Sequence, residues 1–138
     1  MANNVPVSAK TALLQRAIVS RPASAISIKL ALMTTAAGNA RDAYSSTNEC
    51  SATGYTAGGV AVSGLAASAG STKGLLDATD VSFGTLTGSF QYGDLYDDGN
   101  SPKQVFVTYD FGAQSPSGVS VTVQWPTADD SNAMLRVA

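Results

Sequence analysis

Histidine is absent from this chain, and cysteine occurs once, at Cys50. The first absence removes His-based triads, Cys–His dyads and imidazole metal sites together. The second excludes an internal disulfide, and with no histidine or second thiol beside it Cys50 reads as a small inert residue. Charge is sparse as well, with 13% Asp, Glu, Lys and Arg over 138 residues and a net charge of −2. The eight basic residues are scattered from Lys10 to Arg136. Without a basic run or stripe, nucleic-acid binding is not expected. No apolar run approaches the ~20 residues that a helix needs to cross a bilayer. Residues Met1 to Pro6 show neither the charged nor the apolar part of a signal peptide. The expectation is a protein made and folded in a cytoplasm, with no membrane partner. Glycine is frequent, yet Gly54, Gly58 and Gly59 match neither a P-loop nor a dinucleotide fingerprint, and they read as turn residues.

What is present is β-patterning. Val105, Val107, Tyr109 and Phe111 alternate with Phe106, Thr108 and Asp110, the period of a strand buried on one face. Residues 112–118 supply Gly, Ser and Pro, and Val119, Val121, Val123 and Trp125 then resume the alternation. This predicts a hairpin of 103–111 with 119–125, whose greasy face needs further sheet to cover it. Ile26, Ile28, Leu30 and Leu32 mark a strand at 25–34. Shorter strands are predicted at 60–63, 75–83, 86–96 and 133–138, with Asp97-Asp98-Gly99-Asn100 as a turn and Gly88 as a bulge or close approach. Ser8 is placed to cap a short helix running to about Ser20, with Leu13, Leu14, Ala17 and Ile18 as its apolar stripe. Residues 35–59 carry no sustained period, and 64–74 read as a low-complexity, mobile Ala/Ser/Gly loop. The predicted fold is all-β: a single antiparallel β-sandwich of about seven or eight strands over residues 25–138. A short N-terminal helix and arm occupy residues 1–24. Its core would include Ile28, Leu30, Leu32, Phe90, Tyr92, Val107, Tyr109, Val121, Val123 and Trp125.

Few residues invite chemistry. Asp94, Asp97, Asp98 and Asn100 surround one turn, where a Ca²⁺ ion could be held, although a plain turn needs the same residues. Asp129 and Asp130 lie in a loop with no spacing that suits a catalytic carboxylate pair. The protein is therefore read as non-enzymatic, with no catalytic residue, no cofactor and no metal ligand. Tyr44, Tyr55 and Phe106 are not clearly sent inward by the alternation, so they join Leu13 and Leu14 as candidate interface residues. A sandwich that displays Tyr44 and Tyr55 could instead bind a host-surface glycan. The sparse charge suits a surface covered by other subunits, and equally an ordinary Gly/Thr-rich β-domain.

Three segments together resemble a family of small structural proteins of tailed bacteriophages. They are Thr47-Asn48-Glu49 with Gly54-Tyr55-Thr56-Ala57-Gly58-Gly59, then Tyr109-Asp110-Phe111-Gly112, then Trp125-Pro126-Thr127-Ala128-Asp129 continuing to Ala133-Met134-Leu135-Arg136. Ile28-Lys29-Leu30-Ala31-Leu32 stands where such proteins have their first strand, so the likeness runs from about residue 26 to the end. It implies a β-sandwich virion protein without catalytic residues, assembled in the host cytoplasm. A capsid decoration (cement) protein on the head exterior would have the major capsid protein as partner and work as a homotrimer. The alternative is a tail or tail-fibre adaptor that binds a receptor glycan.

Overall fold

The structure, a computed structural model, describes residues 5–15, 27–35 and 43–138. In sequence order these form helix α1 (Val7–Leu14) and strands β1 (Ile28–Met33), β2 (Val60–Ala61), β3 (Ala66–Ala69), β4 (Gly74–Asp77), β5 (Val81–Thr87), β6 (Phe90–Asp97), β7 (Val105–Gln114), β8 (Ser117–Val123) and β9 (Leu135–Val137). The fold is all-β with one short N-terminal helix, and its strand pairs are antiparallel. The protein divides into a larger compact unit, residues 24–62 and 80–123, and a smaller one, residues 1–23, 63–79 and 124–138.

The larger unit holds a four-stranded sheet in the order β2-β1-β6-β7 and a two-stranded ribbon of β5 with β8. The predicted hairpin is corrected here. β7 pairs with β6, β8 pairs with β5, and neither pairs with the other. The register shows why. Val81 faces Val123, Leu86 faces Val119, Phe90 faces Gln114 and Leu95 faces Val107. Residues 81–97 and 105–123 are thus the two arms of one long hairpin with its tip at the Asp97 turn. Both arms bend together, at Gly88-Ser89 on one side and Ser115-Pro116 on the other. There the Gly88 N–H donates to the Pro116 carbonyl at 3.1 Å, and the Ser89 and Ser115 hydroxyls lie 3.3 Å apart. The Gly, Ser and Pro residues at 112–118 mark this bend, which local turn chemistry alone cannot tell from a reversal.

β1 runs through the middle of the sheet. Its period-2 sides are Ile28, Leu30 and Leu32 on one face and Ala31 and Met33 on the other, and all five are buried. Ala31, Met33 and Tyr96 form a cluster on which Tyr44, Tyr92 and Val105 pack. Leu95, Val81, Phe83, Leu86 and Phe90 are buried as well. The predicted core is therefore met at Ile28, Leu30, Leu32 and Phe90. Val107, Tyr109, Val121 and Val123 are only half-buried, because β7 and β8 are outer strands, and Tyr92 on β6 and Trp125 beyond β8 are half-buried as well.

In the smaller unit β3, β4 and β9 form a sheet in that order, and α1 packs on it. Residues 64–74 are not the loop expected from their composition, since Ala66–Ala69 pairs with Gly74–Asp77. Small side chains hide the alternation, but backbone pairing needs none, and Leu75 and Leu76 of the partner strand supply the buried surface. Helix α1 also starts differently. Pro6 is its N-cap residue, its carbonyl accepting from the Ala9 and Lys10 amides, and Ser8 lies inside the first turn. Residues 16–20 of the predicted helix lie outside the described residues. The helix backbone comes so close to β4 that a Cβ on Gly74 would sit 2.7 Å from the Lys10 carbonyl carbon.

Gly59 offers the sharpest test of the larger unit. Its φ is +77°, and an added Cβ would lie 2.0 Å from the Leu30 carbonyl oxygen. Gly112 has a similar φ of +70° with open space around it. Gly59→Ala should lower unfolding free energy by at least about 2 kcal/mol, against about 1 kcal/mol for Gly112→Ala, in denaturant titrations. Equal costs would show that the Gly59 loop yields freely.

Candidate functional site

A dense polar site forms where β1 runs out of strand partners. β2 pairs only with Lys29 and Leu30, so the rest of this edge needs other donors and acceptors. The Val62 amide donates to the Ile28 carbonyl at 2.8 Å, and the Cys50 amide donates to the Leu32 carbonyl at 2.8 Å. The Thr34 amide donates to the Asn48 carbonyl, also at 2.8 Å. The Leu32 N–H meets a side chain instead, donating to the Tyr55 hydroxyl at 3.1 Å. A phenol thus stands where a neighbouring strand would put a carbonyl.

Glu49, the only glutamate in the sequence, holds that phenol. Its Oε1 accepts from the Tyr55 hydroxyl at 2.7 Å and from the Gly58 N–H at 2.6 Å. Its Oε2 accepts from the Tyr44 hydroxyl at 2.7 Å. The Tyr44 ring stacks on Tyr96 with centroids 4.1 Å apart, and the Tyr96 hydroxyl donates to the Gly58 carbonyl at 2.8 Å. Tyr55 in turn stacks on Phe83 of β5, at 6.2 Å. One carboxylate therefore gathers residues 44–58 and fastens them to β1, β5 and β6. Gly58 has φ +86° and Asn48 has φ 65°, left-handed conformations in which the Gly58 N–H reaches Glu49 and the Asn48 carbonyl reaches the Thr34 amide. At the margin Asp98 pairs with Lys29 and Lys103, and the Lys103 ammonium lies 5.9 Å from the Tyr44 ring centroid.

The phenols titrate abnormally for identifiable reasons. Burial raises Tyr55 and Tyr44 well above the ordinary tyrosine value, and the hydrogen bond each gives to Glu49 raises them further. Tyr96 is raised by burial and then by the charge of Asp98. Asp98 is held below the usual carboxylate range by its hydrogen bonds to Lys103 and Lys29. Phenols that keep their protons and donate to a carboxylate act as fasteners, not as nucleophiles.

The candidate residues fall in different settings. Tyr44 and Tyr55 are brought together on Glu49, both half-buried, and Phe106 is half-buried on β7. In the smaller unit Leu14 is buried, whereas Leu13 is 59% exposed. The carboxylates weighed for Ca²⁺ turn to separate tasks. Asp94 accepts from the Thr108 hydroxyl at 2.7 Å, and Asp97 accepts from the Gly99 N–H and from Asn100. Among the described residues no group of His, Cys, Asp and Glu side chains is placed to hold a metal ion. Asp129 closes its own turn through the Ser131 and Asn132 amides, and Asp130 accepts from the Thr72 amide at 3.1 Å. The Cys50 sulfur contacts the Ser89 carbonyl and the Ala52 amide. Sequence reasoning missed Glu49 as the centre, and its being the sole glutamate beside two tyrosines was the available signal.

No protein-family model, curated protein or solved structure matches this sequence.

Tyr55→Phe removes the acceptor of the Leu32 N–H and one donor to Glu49, and should cost about 1–3 kcal/mol in denaturant unfolding. A loss within error of zero would mean that water replaces the hydroxyl. A second expectation concerns alkali. Tyr44, Tyr55, Tyr96 and, through burial, Tyr109 all have pKa values raised above the ordinary 10.0. The unfolded protein therefore releases these protons first, so their stabilising contribution is complete below pH 10 and lost as pH rises above it. Thermal melts between pH 8 and 11, about the ordinary tyrosine pKa, should fall more steeply for the parent than for Tyr44→Phe.

Proposed function

We propose that this protein is a non-enzymatic structural component of a tailed-phage virion, a capsid decoration protein that clamps the outside of the head. The observation that carries the reading is the use made of its carboxylates. Glu49, Asp94, Asp97 and Asp98, the groups a catalytic or metal site would draw on, each bind a partner within the fold. Side chains held in this way brace a scaffold, which suits a part whose task is mechanical. The placement in a virion is supported by the resemblance of residues 47–59, 109–112 and 125–136 to phage structural proteins. The candidate contacts with the major capsid protein are the N-terminal arm and helix (residues 1–20), with Leu13 exposed on α1, and the loop of residues 35–59. A homotrimer at a local threefold position would repeat one contact around a closed ring and gain avidity from modest interactions. The glycan-binding alternative relied on Tyr44 and Tyr55. Their hydroxyls donate to Glu49, and a sugar would have to compete with that carboxylate.

Quantitative mass spectrometry of purified virions should find this protein in many copies, in fixed ratio to the major capsid protein. Particles that lack it should lose infectivity at lower temperature, or on sudden dilution from high salt, than the parent. A copy number befitting one ring at a single vertex would assign the protein to the tail. Particles as robust without it would overturn the cement role.

A further inference from the structure

The hairpin tip contains an Asp-Gly step, Asp98-Gly99, and the polar groups around it share a common effect. In a flexible peptide such a step is prone to cyclise, because no side chain on glycine shields its amide nitrogen. The nitrogen attacks the carboxyl carbon of the Asp98 side chain, a new C–N bond forms, one carboxyl C–O bond breaks, and one water leaves. Water then reopens the five-membered imide. Attack at the carbonyl derived from the side chain restores aspartate. Attack at the backbone carbonyl leaves isoaspartate, with the backbone routed through the side chain. Mass and redox state are unchanged over the two steps.

Both reacting groups are tied away from this reaction. The Gly99 N–H donates to Asp97 Oδ1 at 2.9 Å, and Asp97 Oδ2 is in turn fixed by the Asn100 amide at 2.6 Å. The nucleophilic nitrogen is thus committed to the preceding carboxylate. Asp98 Oδ2 lies 2.8 Å from the Lys29 ammonium, and Asp98 Oδ1 lies 2.5 Å from that of Lys103. Two cations keep the Asp98 carboxylate ionised, the form from which oxygen leaves least readily. The Asp98 amide donates to the Ser27 carbonyl at 2.6 Å, which fixes the backbone on the other side. The flanking pairs Ile28 with Asp97 and Tyr96 with Val105 leave little room for the rotation that cyclisation requires.

We propose that Asp98-Gly99 is a latent isoaspartate site, kept closed by a clamp of Asp97, Lys29 and Lys103. The two lysines hold the Asp98 carboxylate, and the site opens whenever the tip frays. An isoaspartate would add a backbone carbon between β6 and β7 and disturb the turn from which both strands run.

The test incubates the full-length protein at neutral pH and 37 °C and maps isoaspartate by peptide digestion with fragment-ion mass spectrometry, alongside methyl labelling by an isoaspartyl methyltransferase. The protein unfolded in guanidinium should accumulate isoaspartate at residue 98 at least about tenfold faster than the folded protein, in line with the protection of native hydrogen-bonded segments. Lys103→Met and Lys29→Met together should raise the folded rate several-fold, while Lys103→Arg should keep it low. Because the double variant could be destabilised, its fold is checked by circular dichroism. Lys103→Met alone, which leaves the Lys29 pair in place, supplies the same readout with a smaller change. Equal rates in folded and unfolded parent would overturn the proposal. So would a folded double variant, or a folded Lys103→Met variant, that reacts no faster than the parent.

Discussion

A strand in the middle of a sheet must satisfy both of its edges, and β1 reaches this point with a neighbour too short for the task. β2 covers two residues of the six, and the remaining edge is finished by a loop with no strand in it. A loop can do this only if something holds it in place, because its backbone groups would otherwise exchange with water. That constraint falls on one carboxylate. Glu49 accepts two phenolic hydroxyls and one backbone amide, and through them positions the hydroxyl that completes Leu32. Phenol-to-carboxylate bonds are charge-assisted and short, stronger than neutral ones. The aromatic rings that deliver those hydroxyls stack on Tyr96 and Phe83, so polar and apolar contacts fix the same geometry.

The unusual backbone of this region follows from the same need. Gly59 passes so near Leu30 that even a methyl group would overlap the strand's carbonyl, and Gly58 presents its N–H to Glu49 and its carbonyl to Tyr96. Turn glycines at these positions were legible in the sequence. What they turned toward was not, because the partners lie on strands up to 38 residues away.

The strands themselves were largely legible, since period-2 alternation survives wherever one face is buried. Ile28, Leu30 and Leu32 declare β1 in this way, and the Asp-Asp-Gly-Asn turn declares the tip of the long hairpin. Pairing was less legible. Residues 105–125 look like a complete hairpin because the bend at 112–118 uses the residues that a reversal uses. Only the matching bend in the opposite arm, at Gly88, distinguishes the two. β3 escaped for a different reason. Alanine and serine give no alternation to read, so its pairing with β4 depends on hydrogen bonds that composition does not encode. The candidate site was half legible: Tyr44 and Tyr55 stood out as aromatics outside the core pattern. Their shared acceptor had no periodic signal at all.

The distribution of chromophores gives the two units separate voices. The only tryptophan, Trp125, belongs to the smaller unit, where its indole N–H donates to the Thr79 carbonyl at 3.2 Å. All five tyrosines belong to the larger one. Indole fluorescence and tyrosine near-ultraviolet dichroism therefore report on different parts of one polypeptide without any label being attached. If the two signals change together under heat or denaturant, the units melt as a single cooperative body; if they part, each melts on its own.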